Sequence, residues 1–256
     1  MIPVPPLMPG RTFAIGDIHG DIQQLYLLLS RFPSLDTDDT IVFLGDYLDR
    51  GPHSAQVIAY VRQLQHSIKA KVIALRGNHE DAWLRVVERG WDGFVLPPLN
   101  GCLAAYRSFV GGKVPQEADE PEPHEKAILM SGSFFPDDVI DWMKALPYWY
   151  EDDHALYVHA GLPKKDDRWP HPSELEDPTA LLWLRDEEFF VNYRGKPVVF
   201  GHTVTACLPP ELSNYTPDDP NDLWAGVNVI GIDTGCGKGG FLTAVEFPAL
   251  NVYESR

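Results

Sequence analysis

Apolar runs and helical stripes alternate along the first third of the chain. Thr12-Phe13-Ala14-Ile15 is a short buried-strand run that stops at Gly16. Leu25, Leu28, Leu29 and Phe32 then recur at i, i+3, i+4 and i+7, the stripe of an amphipathic helix, with Asp21 as its N-cap and Gln24 three residues on. A second strand run, Thr40-Ile41-Val42-Phe43-Leu44, ends at Gly45, and Val57, Val61 and Leu64 mark a helix after Gly51-Pro52. Lys71-Val72-Ile73-Ala74-Leu75 is a third strand. This β-α-β-α-β order predicts an α/β fold with a parallel sheet and helical crossovers.

Residues 81–150 read as mostly helical, interrupted by a Pro- and Glu-rich stretch, 111–126, expected to be a surface loop. Shorter strands are expected at 156–158, 198–200, 227–232 and 241–247. A Pro/Asn/Asp-rich segment, 208–223, reads as a long surface loop. No internal repeat is visible. The polar residues of interest lie on both sides of the acidic stretch, so a single domain over 1–256 is expected.

Those polar residues follow the strand runs. Gly16-Asp17-Ile18-His19-Gly20 comes after the first, Gly45-Asp46-Tyr47-Leu48-Asp49-Arg50-Gly51 after the second, and Gly77-Asn78-His79-Glu80 after the third. His159-Ala160-Gly161 and Gly201-His202-Thr203 follow two later runs. Ligands of α/β sheets sit at the carboxyl ends of the strands, so the five clusters are expected to meet at one sheet edge. Taken singly, an Asp or Asn there is a turn former or cap, and a lone His is a hydrogen-bonded core residue. Five clusters, each beside a glycine and each at a strand end, are not explained that way. Asp, His and Asn without thiolates suit divalent cations such as Mn, Fe or Zn, and a pair of these is the clamp used for displacement at phosphorus.

Composition narrows the partners. The chain has 256 residues, 44% hydrophobic and 23% charged, which is ordinary globular usage. Its 21 basic and 37 acidic residues leave a net charge of −16, which disfavours nucleic-acid and anionic-membrane partners. No apolar run has the length of a membrane helix. Residues 1–6 carry neither a basic nor an apolar leader segment, and Cys102, Cys207 and Cys236 are far apart, so a cytoplasmic protein without disulfides is expected.

The three signature blocks, 24 and 25 residues apart, resemble those of the PPP-type serine/threonine protein phosphatases, and the two later histidine blocks fit the same pattern. Leu182-Trp183-Leu184-Arg185-Asp186 and Ile232-Asp233-Thr234-Gly235 resemble the compact bacterial and phage branch of that family. The resemblance implies a β-sandwich flanked by helices, in four α/β/β/α layers. It implies two divalent metals, manganese before iron or zinc. Asp17 and His19 would bind the first, Asp46 would bridge both, and Asn78, His159 and His202 would hold the second. His79 paired with Asp49 would be the general acid, and Arg50 and Arg185, with Asn78, would grip the phosphate. The activity implied is hydrolysis of phosphoserine or phosphothreonine, with phosphotyrosine as an option, in a phosphoprotein or phosphopeptide partner, by direct attack of a metal-bridging hydroxide.

Two other readings compete. Symmetrical dinucleoside polyphosphate hydrolases and small-phosphoester phosphatases share the metal blocks, although Asp49-Arg50-Gly51 is the protein-phosphatase form. A phosphopeptide-binding module without catalysis would lack a ligand or the acid, yet every position is filled. The remaining histidines, His53, His66, His124, His154 and His171, match no block and read as structural, as do Trp91, Trp149, Trp169 and Trp224. Asp233 reads as a turn stabiliser near the site and Cys236 as a buried small residue.

Overall fold

Alternate residues of the strands face two different cores, and this sets the architecture. In the computed structural model, which describes residues 10–116, 119–216 and 218–256, the first sheet contains β1 (Thr12–Ile15), β2 (Thr40–Phe43) and β3 (Lys71–Ala74) in parallel. It is extended by β9 (Thr243–Phe247), antiparallel to β1, and by β10 (Asn251–Glu254). Phe13, Ile15, Ile41 and Phe43 point to one core, and Ala14, Val42 and Val245 to another. The period of two along a strand produces this split.

The second sheet runs in the order β4 (Trp149–Glu151), β5 (Leu156–Val158), β6 (Val198–Phe200), β8 (Val229–Gly231), β7 (Trp224–Ala225), with β5, β6 and β8 parallel. Tyr157 and Val199 share a core with Ala14 and Val42, so the two sheets pack face to face. The outer face of the first sheet is covered by α1 (Ile22–Leu29), α2 (Ser54–Ser67), α3 (Asn78–Arg89), α4 (Asp92–Val95), α5 (Cys102–Val110), α6 (Pro123–Ser131) and α7 (Asp137–Ala145). The outer face of the second sheet packs on α8 (Ala180–Trp183) and α9 (Glu187–Asn192). The α/β sandwich implied by the resemblance is therefore present, as two five-stranded sheets between helices.

Several local expectations hold. Asp21 caps α1, its carboxylate accepting from the Gln24 N–H at 3.1 Å. Others are corrected. The expected loop at 111–126 ends early because Pro123 opens α6 and Glu125 accepts from the Glu122 N–H at 2.8 Å, a reciprocal cap; Glu117 and Ala118 lie outside the described residues. The segment 208–223 holds a short 3-10 turn at Pro210–Leu212, and Pro217 of that segment is not described. The strand expected at 227–232 is shortened to Val229–Gly231 because residues 226–228 form the turn between β7 and β8, which pair antiparallel. The strand expected at 241–247 begins at Thr243, since Phe241 makes an isolated bridge to Gly235. Edge strands β4 and β10 were not anticipated; both are half-exposed and lack a clear apolar alternation.

Asp39 ties the starts of β1 and β2 together. It accepts from Arg11 Nε at 2.9 Å and Nη2 at 2.5 Å, and from the Asp36 N–H at 2.9 Å. Against the cost of burial, these donors hold its carboxyl below the usual aspartate range. The sign follows: the pair stabilises fully above the unfolded-state value, near pH 4, and the contribution is lost as pH falls further. Asp39→Asn is expected to cost about 1 kcal/mol at neutral pH, since Arg11 is partly exposed. Urea melts of both proteins at pH 7 and pH 3 should show the difference shrinking in acid.

Candidate active site

The parallel strands of both sheets end at the same place, and their following turns carry the polar clusters. The sequence pattern anticipated convergence at one sheet edge; the structure puts it where the ends of two sheets adjoin. The backbone turns so sharply here that five non-glycine residues adopt positive φ: His19 (46°), Asp46 (52°), Asp49 (71°), Arg50 (66°) and His202 (62°). Each is strained by roughly 1–2 kcal/mol, a concentration typical of functional sites. Glycine is needed at two close approaches. A Cβ on Gly201 would lie 2.1 Å from Asp17 Oδ1, and one on Gly77 2.2 Å from Asp46 Oδ1.

Asp46 is the centre of the cluster. Its Oδ2 lies 3.3 Å from His19 Nε2 and its Oδ1 3.5 Å from His159 Nε2, so each oxygen faces a different histidine. Asp17 lies on the His19 side, with Oδ2 3.8 Å from His19 Nε2, and both its oxygens accept from the His202 N–H at 3.1 Å. Asn78 Oδ1 lies 2.9 Å from His159 Nε2 and 2.8 Å from His202 Nδ1. All six side chains are buried.

Protonation follows from that burial. Burial, with Asp233 and Asp46 close by, pushes the Asp17 carboxyl well above its ordinary range. For Asp46 burial acts the same way, but the attraction of nearby positive charge, greatest from His159, His79 and His19 in their cationic forms and then from Arg50, outweighs it and sets the carboxyl well below its ordinary range. Burial favours the neutral imidazole at His19, His159 and His202, with Arg50 adding to the effect at His19, His79 at His159, and His159 and then Arg185 at His202. Neutral imidazole is the metal-binding form. His19 Nδ1 lies 3.1 Å from Leu48 O and His159 Nδ1 2.9 Å from Leu44 O; a carbonyl can only accept, so the protons sit there and both Nε2 lone pairs face inward. His159 Nε2 and Asn78 Oδ1 are then two acceptors facing each other. His202 Nε2 has no hydrogen-bond partner among the described residues. The donor set fits divalent cations: acceptors crowd together, and a cation held between them would satisfy them.

Proton-transfer and anion-binding candidates border this cluster. His79 Nδ1 contacts Asp49 Oδ2 at 2.6 Å, and Trp83 Nε1 donates to both Asp49 oxygens at 3.0 Å. Burial raises the Asp49 carboxyl while its bond to His79 opposes the rise. His79 Nε2 turns inward, 3.9 Å from Asp46 Oδ2, within reach of a metal as well as of a leaving group. The Arg50 guanidinium contacts His19 Nε2 and reaches His79 Nε2 at 3.2 Å. A cation cannot share the His19 nitrogen with it, so metal binding there requires Arg50 to move. Arg185 is attached more loosely, 3.5 Å from His202 O. All ten residues singled out in the sequence are therefore brought together.

Four supporting residues were not singled out. Glu80 accepts from the N–H groups of Asp46, Tyr47 and Gly77, each at 2.9 Å, and so holds the Asp46 turn; burial and Asp46 push its carboxyl up to about 8 while those N–H groups pull it down. Ser54 accepts from the Asp49 N–H at 3.0 Å. Trp83 follows His79 at i+4 on α3, a spacing that could have flagged it. Lys238 has no sequence signal; its amine lies 3.8 Å from Asp233. Asp233 does stabilise a turn, accepting from the Gly235 N–H at 3.0 Å, and Cys236 is buried.

The fold and this centre define a metallophosphoesterase. The calcineurin-like phosphoesterase family model matches residues 10–215, and the chain belongs to that family. Membership implies divalent metal ions. An asymmetrical bis(5'-nucleosyl)-tetraphosphatase of Oceanobacillus iheyensis is 29% identical over 91% of this chain and 87% of its own length. A solved protein provisionally named a diadenosine tetraphosphatase shares the fold with a TM-score of 0.59 at 23% identity, over 97% of this chain and 94% of its own. A protein serine/threonine phosphatase from Saccharomyces cerevisiae has a TM-score of 0.51 at 17% identity, over 93% of this chain and 73% of its own. The bacterial PPP assignment is thus corrected to the wider family, because the full-length sequence likeness is to a tetraphosphatase. No helix among the described residues is long and apolar enough to cross a membrane.

Proposed function

We propose that this chain hydrolyses the phosphoanhydride of dinucleoside tetraphosphates at a centre of two divalent metals held by Asp17, His19, Asp46, Asn78, His159 and His202. The observation that carries the reading is Asp46 presenting one oxygen to each half of the cluster. The full-length likeness to a tetraphosphatase supports this substrate over a phosphoprotein.

Cations held there would supply an activated water and neutralise charge on the phosphoryl oxygens. The chain's own groups do the rest. Arg50 and Arg185, with the amide of Asn78, orient the phosphoryl group against the cluster. His79, aligned by Asp49 and Trp83, delivers a proton to the departing oxygen. An anionic substrate needs this local excess of cations, because the protein as a whole carries −16.

The test is a comparison of diadenosine tetraphosphate, a phosphoserine peptide and p-nitrophenyl phosphate with the Mn²⁺-loaded protein. The tetraphosphate is expected to have the highest kcat/KM, by about tenfold or more. ATP and AMP are the products expected from the likeness to an asymmetrical enzyme; two ADP would indicate the symmetrical cut. A faster phosphopeptide would restore the phosphoprotein reading.

A further inference from the structure

A groove of about 710 Å³ opens beside the metal cluster, between the α4–α5 connection and the turn that carries Lys238. Its volume is in the range of small-ligand clefts. Arg50 belongs to both places: its guanidinium reaches His19 and His79, and its side chain lines the groove. The Lys238 turn is pressed onto the cluster, since a Cβ on Gly237 would lie 2.6 Å from the Cβ of His19. The Lys238 amine is 3.8 Å from Asp233, too long for a hydrogen bond, so it is free to turn to another anion.

One wall is unusually apolar for a surface. Leu96 is 42% exposed and Leu99 86% exposed, and Pro97 and Pro98 lie between them. These side chains have little to pack against in the fold. An exposed apolar surface beside two cations, and beside a phosphoryl-transfer centre, suits a base joined to phosphates. A phosphopeptide would use the cations but would not need this wall.

Resting on the function proposed above, we infer that the groove is a nucleoside-phosphate subsite. Leu96 and Leu99 pack on the base and ribose, and Lys238 holds a phosphate next to the scissile one. Lys238 is then a specificity residue that favours polyphosphates over monoesters.

Calorimetric titration of the Mn²⁺-loaded protein with ADP and with pyrophosphate separates the two contributions. Leu96→Ser/Leu99→Ser should weaken ADP about three- to tenfold and pyrophosphate less than twofold, because only ADP has a base. Lys238→Met should weaken both by about fivefold or more. Metal content and circular dichroism establish that each variant is loaded and folded. Unchanged ADP affinity in the double variant would remove the nucleoside subsite, and unchanged affinity for both ligands in Lys238→Met would remove the phosphate contact. If the protein cleaves no dinucleoside tetraphosphate yet ADP binding depends on Leu96 and Leu99, the proposed function fails and the subsite stands. Cleavage with no such dependence has the opposite meaning.

Discussion

Asp46→Asn is expected to lower bound metal from two equivalents to less than one and to reduce turnover of every phosphoester by on the order of 10³-fold or more. The reason is positional. Asp46 faces His19 with one oxygen and His159 with the other, and the neighbouring Arg50 guanidinium favours its ionised form. An amide keeps the shape but removes the charge, and its NH₂ group turns one of the two faces into a donor that repels a cation. His19→Ala removes a donor on one side only and should leave about one equivalent. Metal analysis after desalting reads both results. Two full equivalents in Asp46→Asn would mean that the carboxylate is not shared.

The second large effect is substrate-dependent. His79→Asn should slow hydrolysis of an alkyl phosphate by about 10²–10⁴-fold, because an alkoxide cannot leave unprotonated. A nucleoside phosphate leaves from an anhydride as a much weaker base, with its second pKa near 6, so the loss on diadenosine tetraphosphate should be far smaller. p-Nitrophenyl phosphate should behave like the anhydride. The Asp49 partner 2.6 Å from Nδ1 fits a positioned acid. It would fit a metal-binding imidazole equally well, and His79 Nε2 is within reach of the His19–Asp46 group. The pattern across leaving groups separates these roles. Equal losses on all three substrates, with metal content reduced, would make His79 a ligand.

The parts of the fold that could be read from the sequence were those with strong local signals. Asp21 capped α1 as expected, and the three strand runs of the first third appeared where the apolar residues placed them; β1 and β2 lie inside the sheet and are apolar because both faces are covered, while β3 at the edge opens on an exposed lysine. The edge strands β4 and β10 escaped because a half-exposed strand has no such obligation. The loop expected at 111–126 failed at its end, where a proline and a pair of glutamates looked like loop composition and act as a helix start.

For the site, the sequence by itself determined which residue types stand at the strand ends, and therefore that nine side chains suited to metal and phosphate chemistry belong to one centre; Arg185, which follows a helix, was reached only through the family resemblance. Local spacing suffices for that, since a strand followed by a glycine turn delivers its next polar residue to the same edge. Only the tertiary structure decided that two sheets share the edge, that Asp46 faces both ways, and that Glu80, Trp83 and Ser54 hold the turns in strained conformations. It alone placed Lys238, some 190 residues from Arg50, beside the same groove. Contacts between distant segments depend on how the layers pack, and packing leaves no periodicity in the chain to be read.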